Sequence, residues 1–325
     1  MATVLTVILN YKTADMTVLA VQAALREMAG IAGEVVVVDN DSQDGSYEQL
    51  TAQVPPGVRV IQSGRNGGFG AGNNVGIRAG LADGSRPDYI YVLNSDAFPD
   101  AGAIRHLLET LEKISDAAFA GSYIHGDDGA PHLTTFRFPS IASEFEGAVR
   151  FGPISRLLAN RAVPVPIPVT TTEVDWLAGA SMLMRRSVLD QIGLFDEEFF
   201  LYFEETDLCL RAQRAGFKTI FVRQSEVTHI GSVSTGMKEW TRVPGYWFAS
   251  RRHYFRKNHG AVYALAATLA HVAGGLLHKL RCGLSGKKPA DPPHFLRTLV
   301  LHDLGLQPKS APRQTAAPQK LTGTP

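Results

Sequence analysis

Short hydrophobic runs that end in polar residues recur along the first part of the chain. Each run is rich in β-branched or aromatic residues, as expected for strands of a parallel sheet that is buried on both faces. These runs cover 5–9, 35–38, 58–62, 89–93 and 117–124. Between them, 14–28 and 101–113 carry apolar residues at helical spacing. The alternation predicts an α/β fold with a doubly wound, mostly parallel sheet and right-handed crossovers.

The pattern changes after the fifth strand. Periodicity is weak from 125 to 172, where prolines are frequent, so an irregular region at the sheet edge or along an acceptor cleft is predicted. Further strands are predicted in the second half of 174–184 and at 218–222, with a helix between them from Glu204 to Gly216. The predicted organisation is a domain over 1–245 with halves at 1–124 (nucleotide-binding) and 125–245 (acceptor and catalytic), a helical extension over 246–308 and a disordered tail over 309–325.

Composition and charge narrow the class of protein. The 325 residues are 45% hydrophobic and 19% charged, which is ordinary for a globular chain, and the formal net charge of +1 predicts no nucleic-acid partner. The two cysteines, Cys209 and Cys282, form no CxxC pair, so disulfide frameworks and thiolate zinc sites are excluded. The first residues lack a basic segment and a cleavage site, and a cytoplasmic location is therefore expected.

The first candidate for chemistry is the polar triplet Asn94-Ser95-Asp96, directly after a predicted buried strand. In open α/β sheets, ligands bind at the carboxyl ends of the strands. Asn94 and Asp96 are one residue apart and lie on the same side of extended chain, so both could face a divalent cation that also holds phosphate oxygens. The alternative is an ordinary strand-to-loop turn.

Two more polar segments follow neighbouring strands. Asp39 leaves its strand towards the crevice, where it could accept a hydrogen bond from a ribose hydroxyl or a base N–H; a helix cap or Asx turn fits equally well.

The segment 65–76 has four glycines within 67–72. Such a loop lets backbone approach a ligand, and a helix opening near Gly72 would aim N–H groups at phosphate. Asn73 stands where the third glycine of a dinucleotide-binding motif is expected, which disfavours a Rossmann oxidoreductase. No Gly-Lys-Ser/Thr of a P-loop follows, which disfavours a P-loop ATPase.

The remaining candidates lie in the second half of the chain. Small residues after Trp176 would let its ring lie against a sugar, although a core tryptophan is the commoner outcome. Glu204 and Glu205 are adjacent and cannot face the same way, so different roles are expected for them. One is expected to act as a general base, with the helix N-terminus favouring its ionised form, while the other fixes the turn. His229 follows a predicted strand and could complete a site begun by Asp96.

Taken in order, these segments resemble family-2 nucleotide-sugar glycosyltransferases of the GT-A fold, most closely their bacterial rhamnosyltransferase-like branch. The resemblance covers residues 3 to about 260 and rests on motifs at 7–11, 37–40, 66–74, 94–96, 175–180, 203–211 and 229–232. It implies an inverting transferase that uses Mg²⁺ or Mn²⁺, with dTDP-rhamnose as donor and a glycan or lipid-linked acceptor of surface-polysaccharide synthesis.

The resemblance also implies roles for individual residues. Glu205 is the expected base, and Asp96 and His229 are the expected metal or diphosphate contacts. The expected donor-binding residues are Asn10, Tyr11, Asp39, Arg65, Asn66, Gly68, Gly70, Asn73, Asn94 and Ser95, and the expected acceptor-binding residues are Asp175, Trp176 and Glu204. Asn94 stands where the usual Asp-X-Asp motif has an aspartate, which removes one negative charge near the cation.

The stretch 261–280 is apolar and about long enough to span a bilayer. Thr268, His271, His278 and Cys282 recur along it at helical spacing, and basic residues flank both ends. This pattern favours a helix that lies in the cytoplasmic membrane interface over a span, and a helix packed on the domain fits nearly as well.

Two other functions fit part of the pattern. A non-catalytic nucleotide-sugar binding protein would keep the crevice without turnover. A sugar-phosphate nucleotidyltransferase shares the broad architecture, but its glycine-rich loop should follow the first strand, where Asn10, Tyr11 and Lys12 stand.

Overall fold

The computed structural model describes residues 2–231 and 242–306; the predicted tail at 309–325 and Ser232 of the last motif lie outside them. The strands are Thr3–Asn10 (β1), Ala32–Asp39 (β2), Arg59–Gln62 (β3), Tyr89–Asn94 (β4), Ala97–Pro99 (β5), Ala117–His125 (β6), Thr135–Phe136 (β7), Thr172–Val174 (β8), Trp176–Leu177 (β9), Ser181–Arg185 (β10) and Lys218–His229 (β11). The helices are Ala14–Glu27 (α1), Ser46–Gln53 (α2), Gly68–Ala79 (α3), Ala103–Lys113 (α4), Ile141–Val149 (α5), Gly152–Leu157 (α6), Arg186–Ile192 (α7), Glu204–Arg214 (α8), Gly245–His259 (α9), Ala261–Leu284 (α10) and Phe295–Asp303 (α11).

A nine-stranded, mostly parallel sheet forms the centre of the molecule. Its order is β3-β2-β1-β4-β10-β6-β11-β5, with β8 paired to β11. Strands β3, β2, β1 and β4 are parallel, as are β6 and β11, whereas β10 runs antiparallel between β4 and β6. The predicted α/β fold is confirmed, and the antiparallel β10 is a feature that the hydrophobic pattern did not reveal.

Helices cover both faces of this sheet, which explains the unbroken hydrophobic strands. On one face, α1 and α4 bury side chains such as Val21 and Leu107 against β1, β2 and β4. On the other face, α3 and α8 bury Ile77 and Leu208 with β-strand side chains that point the opposite way. Successive residues of β4 therefore enter different cores, since side chains alternate across a strand.

Three local predictions were wrong. The region predicted to be irregular at 125–172 contains α5 and α6; Ser140 and Ser143 form a reciprocal capping box at the start of α5. Helix α3 begins at Gly68, not near Gly72. Strand β11 does not end at Val222 but continues to His229 after an irregularity in its pairing with β6.

The C-terminal part is helical, as predicted. Among the described residues one helix, α10, is long and apolar enough by length and composition to cross a membrane. The polar stripe of α10 faces inward, because Thr268, His278 and Cys282 are buried and His271 contacts Glu144 of α5 at 2.7 Å. The helix is therefore packed on the domain through its polar side.

Candidate active site

The site is built around the carboxyl end of β4. Strand β5 pairs with the end of β11, which brings Asp96 beside His229. The His229 Nε2 atom lies 3.0 Å from Asp96 Oδ1 and 3.4 Å from the amide nitrogen of Asn94. The Ile230 N–H donates to the Asp96 carbonyl at 3.1 Å. Residues 133 positions apart in the chain thus present a carboxylate and an imidazole at one point.

A continuous hydrogen-bond chain joins this point to the end of β1. Ser95 Oγ lies 3.1 Å from Thr13 Oγ1, and Thr13 contacts the Asn10 side-chain oxygen at 3.2 Å. The Asn10 amide then donates to Asp39 at 2.7 Å. The ends of β4, β1 and β2 therefore form one connected polar edge, as the parallel register of these strands requires.

Asp39 lies in the interior of this edge. Its side chain is fully buried, and it accepts hydrogen bonds from Asn10, from the Ser42 hydroxyl at 2.5 Å and from the Ser42 N–H at 3.1 Å. This local side-chain-to-backbone bonding is of the turn or cap type that the sequence left open as an alternative. A direct contact between Asp39 and a nucleotide stays a prediction.

The two glutamates at the start of α8 point in different directions, as expected. Glu205 is partly buried, and its Oε1 accepts a hydrogen bond from the Gly179 N–H at 3.0 Å. The next residue, Ala180, accepts a hydrogen bond from the Asn94 N–H at 3.0 Å. Glu205 is therefore connected through two backbone residues to the triplet that carries Asp96.

Burial changes the ionisation of both carboxyl groups. Glu204 is 1% exposed, and burial together with the neighbouring Glu205 raises its pKa well above the usual value. Burial also raises the pKa of Glu205, partly opposed by the Gly179 N–H bond. The helix N-terminus was expected to favour the ionised form, but desolvation has the larger effect.

The turn before α8 is conformationally strained. Tyr202 and Phe203 both adopt positive φ angles, 70° and 71°, which non-glycine residues rarely do. Their rings contact Tyr246 and Trp247 at the start of α9. The C-terminal helices thus help to hold the turn that presents Glu205.

The glycine-rich segment packs against protein atoms. Gly68 has φ +87°, and a Cβ added there would lie 1.8 Å from the Phe200 carbonyl oxygen. Added Cβ atoms at Gly70 and Gly72 would lie 2.9 Å from Phe195 and 2.4 Å from Leu9. The first N–H groups of α3 donate to the Asn66 side chain and the Phe200 carbonyl. These glycines let α3 approach β1 and the segment before α8.

The other predicted donor-binding residues are spread around this segment. Asn66 Oδ1 accepts a hydrogen bond from Asn40 at 3.0 Å, and the Asn73 amide donates to the Phe69 carbonyl at 3.0 Å. Arg65 is exposed and pairs with Glu197 at 3.2 Å. Tyr11 is partly exposed beside Lys12 at the end of β1. Their contact with a donor stays a prediction.

Two predicted acceptor-binding residues hold another segment of the chain. The Trp176 ring stacks on Phe136 at 4.2 Å and donates to the Arg137 carbonyl. Asp175 accepts a hydrogen bond from the Phe138 N–H at 2.9 Å. Both residues contact 136–138, and the Trp176 side chain is partly buried against the core. Their acceptor role stays a prediction.

The structure adds residues that sequence reasoning missed. The His132 ring lies edge-on to His229, with centroids 6.1 Å apart, although nothing in its local sequence distinguished it. Thr13 links Ser95 to Asn10, and Ser42 holds Asp39. Both hydroxyl residues lie in polar turns after strands, and that position is the signal that could have identified them.

A second acidic cluster lies at the other end of β5. Ligand atoms of Asp100, His125 and Glu226 lie within 4.8 Å of one another. His125 contacts Asp100 at 3.1 Å, and Arg223 forms an ion pair with Glu226 at 2.5 Å. The cation already beside Glu226 makes this cluster a poorer match for a metal than the Asp96–His229 pair.

A family model described as "Glycosyltransferase like family 2" matches residues 2–260. The chain belongs to this glycosyltransferase family. It is 33% identical over 239 residues to an N-acetylglucosaminyl-diphospho-decaprenol L-rhamnosyltransferase of Mycobacterium tuberculosis, a match that covers 67% of this chain and 75% of the relative. It is 28% identical over 201 residues to the rhamnosyltransferase WbbL of Escherichia coli, covering 59% and 72%.

The glycosyltransferase fold is also found in solved structures. A crystal structure of GalNAc-T7 with UDP, GalNAc and Mn²⁺ superposes with a TM-score of 0.51 and 14% sequence identity. The superposition covers 93% of this chain and 55% of that chain. At this identity the likeness concerns the fold, and the rhamnosyltransferase-like resemblance of the sequence rests on the curated relatives.

Proposed function

We propose that this chain is an inverting glycosyltransferase that moves rhamnose from dTDP-rhamnose to a hydroxyl of a glycan or lipid-linked acceptor in surface-polysaccharide synthesis. Its family and its rhamnosyltransferase relatives support the reaction class and the donor. The observation that carries the proposal is the connection of the Asp96–His229 pair with Glu205 through Asn94, Ala180 and Gly179. In this proposal the diphosphate binds at the Asp96–His229 pair and the acceptor hydroxyl lies at Glu205.

The residues present fit a divalent cation. Asp96 is 5% exposed and lies 3.0 Å from His229, so a carboxylate oxygen and an imidazole nitrogen converge where little water reaches. Carboxylates suit both Mg²⁺ and Mn²⁺. Asp96 and His229 would hold the ion, which would neutralise charge on the departing nucleoside diphosphate.

Glu205 is the proposed general base. It takes the proton from the acceptor hydroxyl, whose oxygen then attacks the anomeric carbon from the face opposite the diphosphate. The Gly179 N–H bond holds one carboxylate oxygen, which fixes the orientation of the group. The raised pKa of Glu205 makes its ionised form a stronger base than an exposed glutamate.

The donor is proposed to lie along the polar edge formed by β1, β2 and β4. The contacts proposed for it are Asn10, Tyr11, Asp39, Arg65, Asn66, Gly68, Gly70, Asn73, Asn94 and Ser95. Asp175, Trp176 and Glu204 are proposed to shape the acceptor side, Asp175 and Trp176 through the 136–138 segment that they order.

The proposal is tested with a panel of nucleotide sugars. dTDP-rhamnose with Mn²⁺ or Mg²⁺ should give the largest rise in melting temperature, since a ligand at 100 times its dissociation constant adds about 2.7 kcal/mol of stability. The same donor should then lose its sugar to water or to an acceptor, with release of dTDP. Binding without any turnover would identify a non-catalytic binding protein, and pyrophosphate release from a nucleoside triphosphate and a sugar phosphate would identify a nucleotidyltransferase.

A further inference from the structure

Helix α10 presents an apolar face outward. Its buried residues are Ala267, Thr268, Gly274, Gly275, His278 and Cys282, three of which are polar or carry a thiol. Its exposed large side chains, here called the α10 apolar face, are Val262, Leu265, Leu269, Leu276, Leu277, Leu280 and Leu284. A helix on the surface of a soluble domain normally has the opposite arrangement.

The α10 apolar face is long and contains no charge until its end. Val262 to Leu284 spans about 33 Å at 1.5 Å per residue, and the first charged residue of the helix is Lys279. Seven of the fourteen exposed large hydrophobic side chains within 2–231 and 242–306 lie on this face. Contiguous apolar surface of this extent marks an interaction site.

The formal charge of the C-terminal residues indicates which kind of partner the α10 apolar face binds. Residues 242–306 contain ten Lys and Arg but two Asp, a formal charge of +8, whereas residues 1–241 contain 19 Lys and Arg and 29 Asp and Glu, a charge of −10. Both Asp residues already form ion pairs, Asp291 with Arg150 and Asp303 with Arg251. The C-terminal segment that carries the face is therefore strongly basic.

We propose that the α10 apolar face docks onto an anionic lipid surface, with α10 parallel to the membrane. The leucines enter the boundary between headgroups and acyl chains, while exposed basic residues such as Arg256, Lys287 and Lys288 contact the headgroups. A second copy of the chain is a poorer occupant, because it would bring one +8 region against another. The packing of the polar stripe on α5 keeps α10 on the domain and out of a spanning position.

The test measures binding of the full chain to vesicles of phosphatidylcholine, with or without phosphatidylglycerol. We expect binding to the anionic vesicles to be at least about tenfold stronger at low salt and to weaken as salt is added. The triple variant Leu269→Gln, Leu276→Gln, Leu280→Gln should lose at least about tenfold in binding, since three leucines leave the lipid. The pair Lys287→Ser, Lys288→Ser should lose several-fold on anionic vesicles alone.

The matched control replaces exposed leucines elsewhere, Leu19→Gln, Leu133→Gln and Leu157→Gln, and should bind vesicles like the unaltered chain. The proposal is overturned by an unaltered chain that binds neither vesicle, by equal loss in the control, or by a dimer in sedimentation that only the α10 triple variant abolishes. Donor hydrolysis in solution, measured on the same variants, should not change. This readout separates failure of the membrane proposal from failure of the proposed reaction.

Discussion

At the scale of single residues, burial decides what each carboxyl group can do. Glu204 and Glu205 are adjacent, yet the first has a buried Oε2 without a partner among the described residues, while the second accepts the Gly179 N–H. Burial without full hydrogen bonding favours the neutral form of a carboxyl group. Glu204 lies deeper than Glu205, and burial together with the neighbouring Glu205 raises its pKa well above the usual value.

The raised pKa of Glu205 predicts the pH dependence of transfer. A general base must be ionised, so kcat/KM should fall as pH decreases through the pKa of Glu205 in the folded protein. Because that pKa lies above the usual 4.5, the acid limb of the profile should have its midpoint above 4.5. Steady-state rates at fixed metal and donor concentration measure this. A flat profile down to pH 4.5 would contradict the assignment.

Asp96 and Asp100 allow a matched test of the proposed metal site. Asp96→Asn should weaken metal-dependent binding of dTDP-rhamnose by more than about tenfold. Even residues that only hydrogen-bond to metal ligands contribute about that much to metal affinity. Asp100→Asn, in the separate cluster with His125 and Glu226, should leave this binding unchanged. Calorimetry with and without Mn²⁺ measures both. Equal donor affinity in the presence and absence of metal would remove the role of Asp96.

At the scale of elements, the glycines of α3 control how closely this helix approaches the segment before α8. Gly68→Ala should destabilise the protein by about 2 kcal/mol or more, since it adds a clash with the Phe200 carbonyl to the cost of a positive φ. Gly57 has φ +92° but nothing within 4 Å, so Gly57→Ala should cost only about 1 to 2 kcal/mol. Urea unfolding gives both values, and equal losses would show that the Phe200 contact is unimportant.

The same elements show what local sequence can and cannot predict. Strand β4 and its polar end were predictable because hydrophobic pattern and turn residues agree within eight positions. Helices α5 and α6 were not predictable, because aromatic residues and prolines in this region obscure helical periodicity. The capping box at the start of α5 also has a serine in place of the usual Glu or Gln. The approach of His229 to Asp96 depends on pairing between β5 and β11. The position of His229 after a predicted strand suggested a shared site, but local sequence did not predict this pairing.

At the scale of the whole molecule, a buried ion network joins the C-terminal helices to the domain. Arg251 of α9 is 1% exposed and contacts Glu144 of α5 at 2.9 Å and Asp303 of α11 at 3.0 Å. Burial acts to raise the pKa of Glu144, but the charge of Arg251 and the hydrogen bond from His271 lower it below the usual value. The inward polar face of α10 has its partners here. No local pattern could predict which side of α10 would be buried, because those partners come from distant segments.

Arg251→Met tests this network. The substitution leaves Glu144 and Asp303 buried without their cation and should cost about 3 to 5 kcal/mol of stability. Exposed Arg256 on the same helix is the control, and Arg256→Met should change stability by less than about 0.5 kcal/mol. Thermal and urea unfolding measure the difference. Similar values for the two variants would mean that the C-terminal helices are held by apolar packing alone.

Single-turnover kinetics of Glu205→Gln with bound dTDP-rhamnose and acceptor test whether Glu205 is the base in sugar transfer. If it is, the rate should be about 10² to 10⁴ times slower than that of the unaltered enzyme, with donor affinity largely retained, because glutamine cannot accept the proton. Glu198→Gln, an exposed carboxyl group on the same segment, should turn over normally. A Glu205→Gln enzyme with full activity would show that Glu205 is not the base.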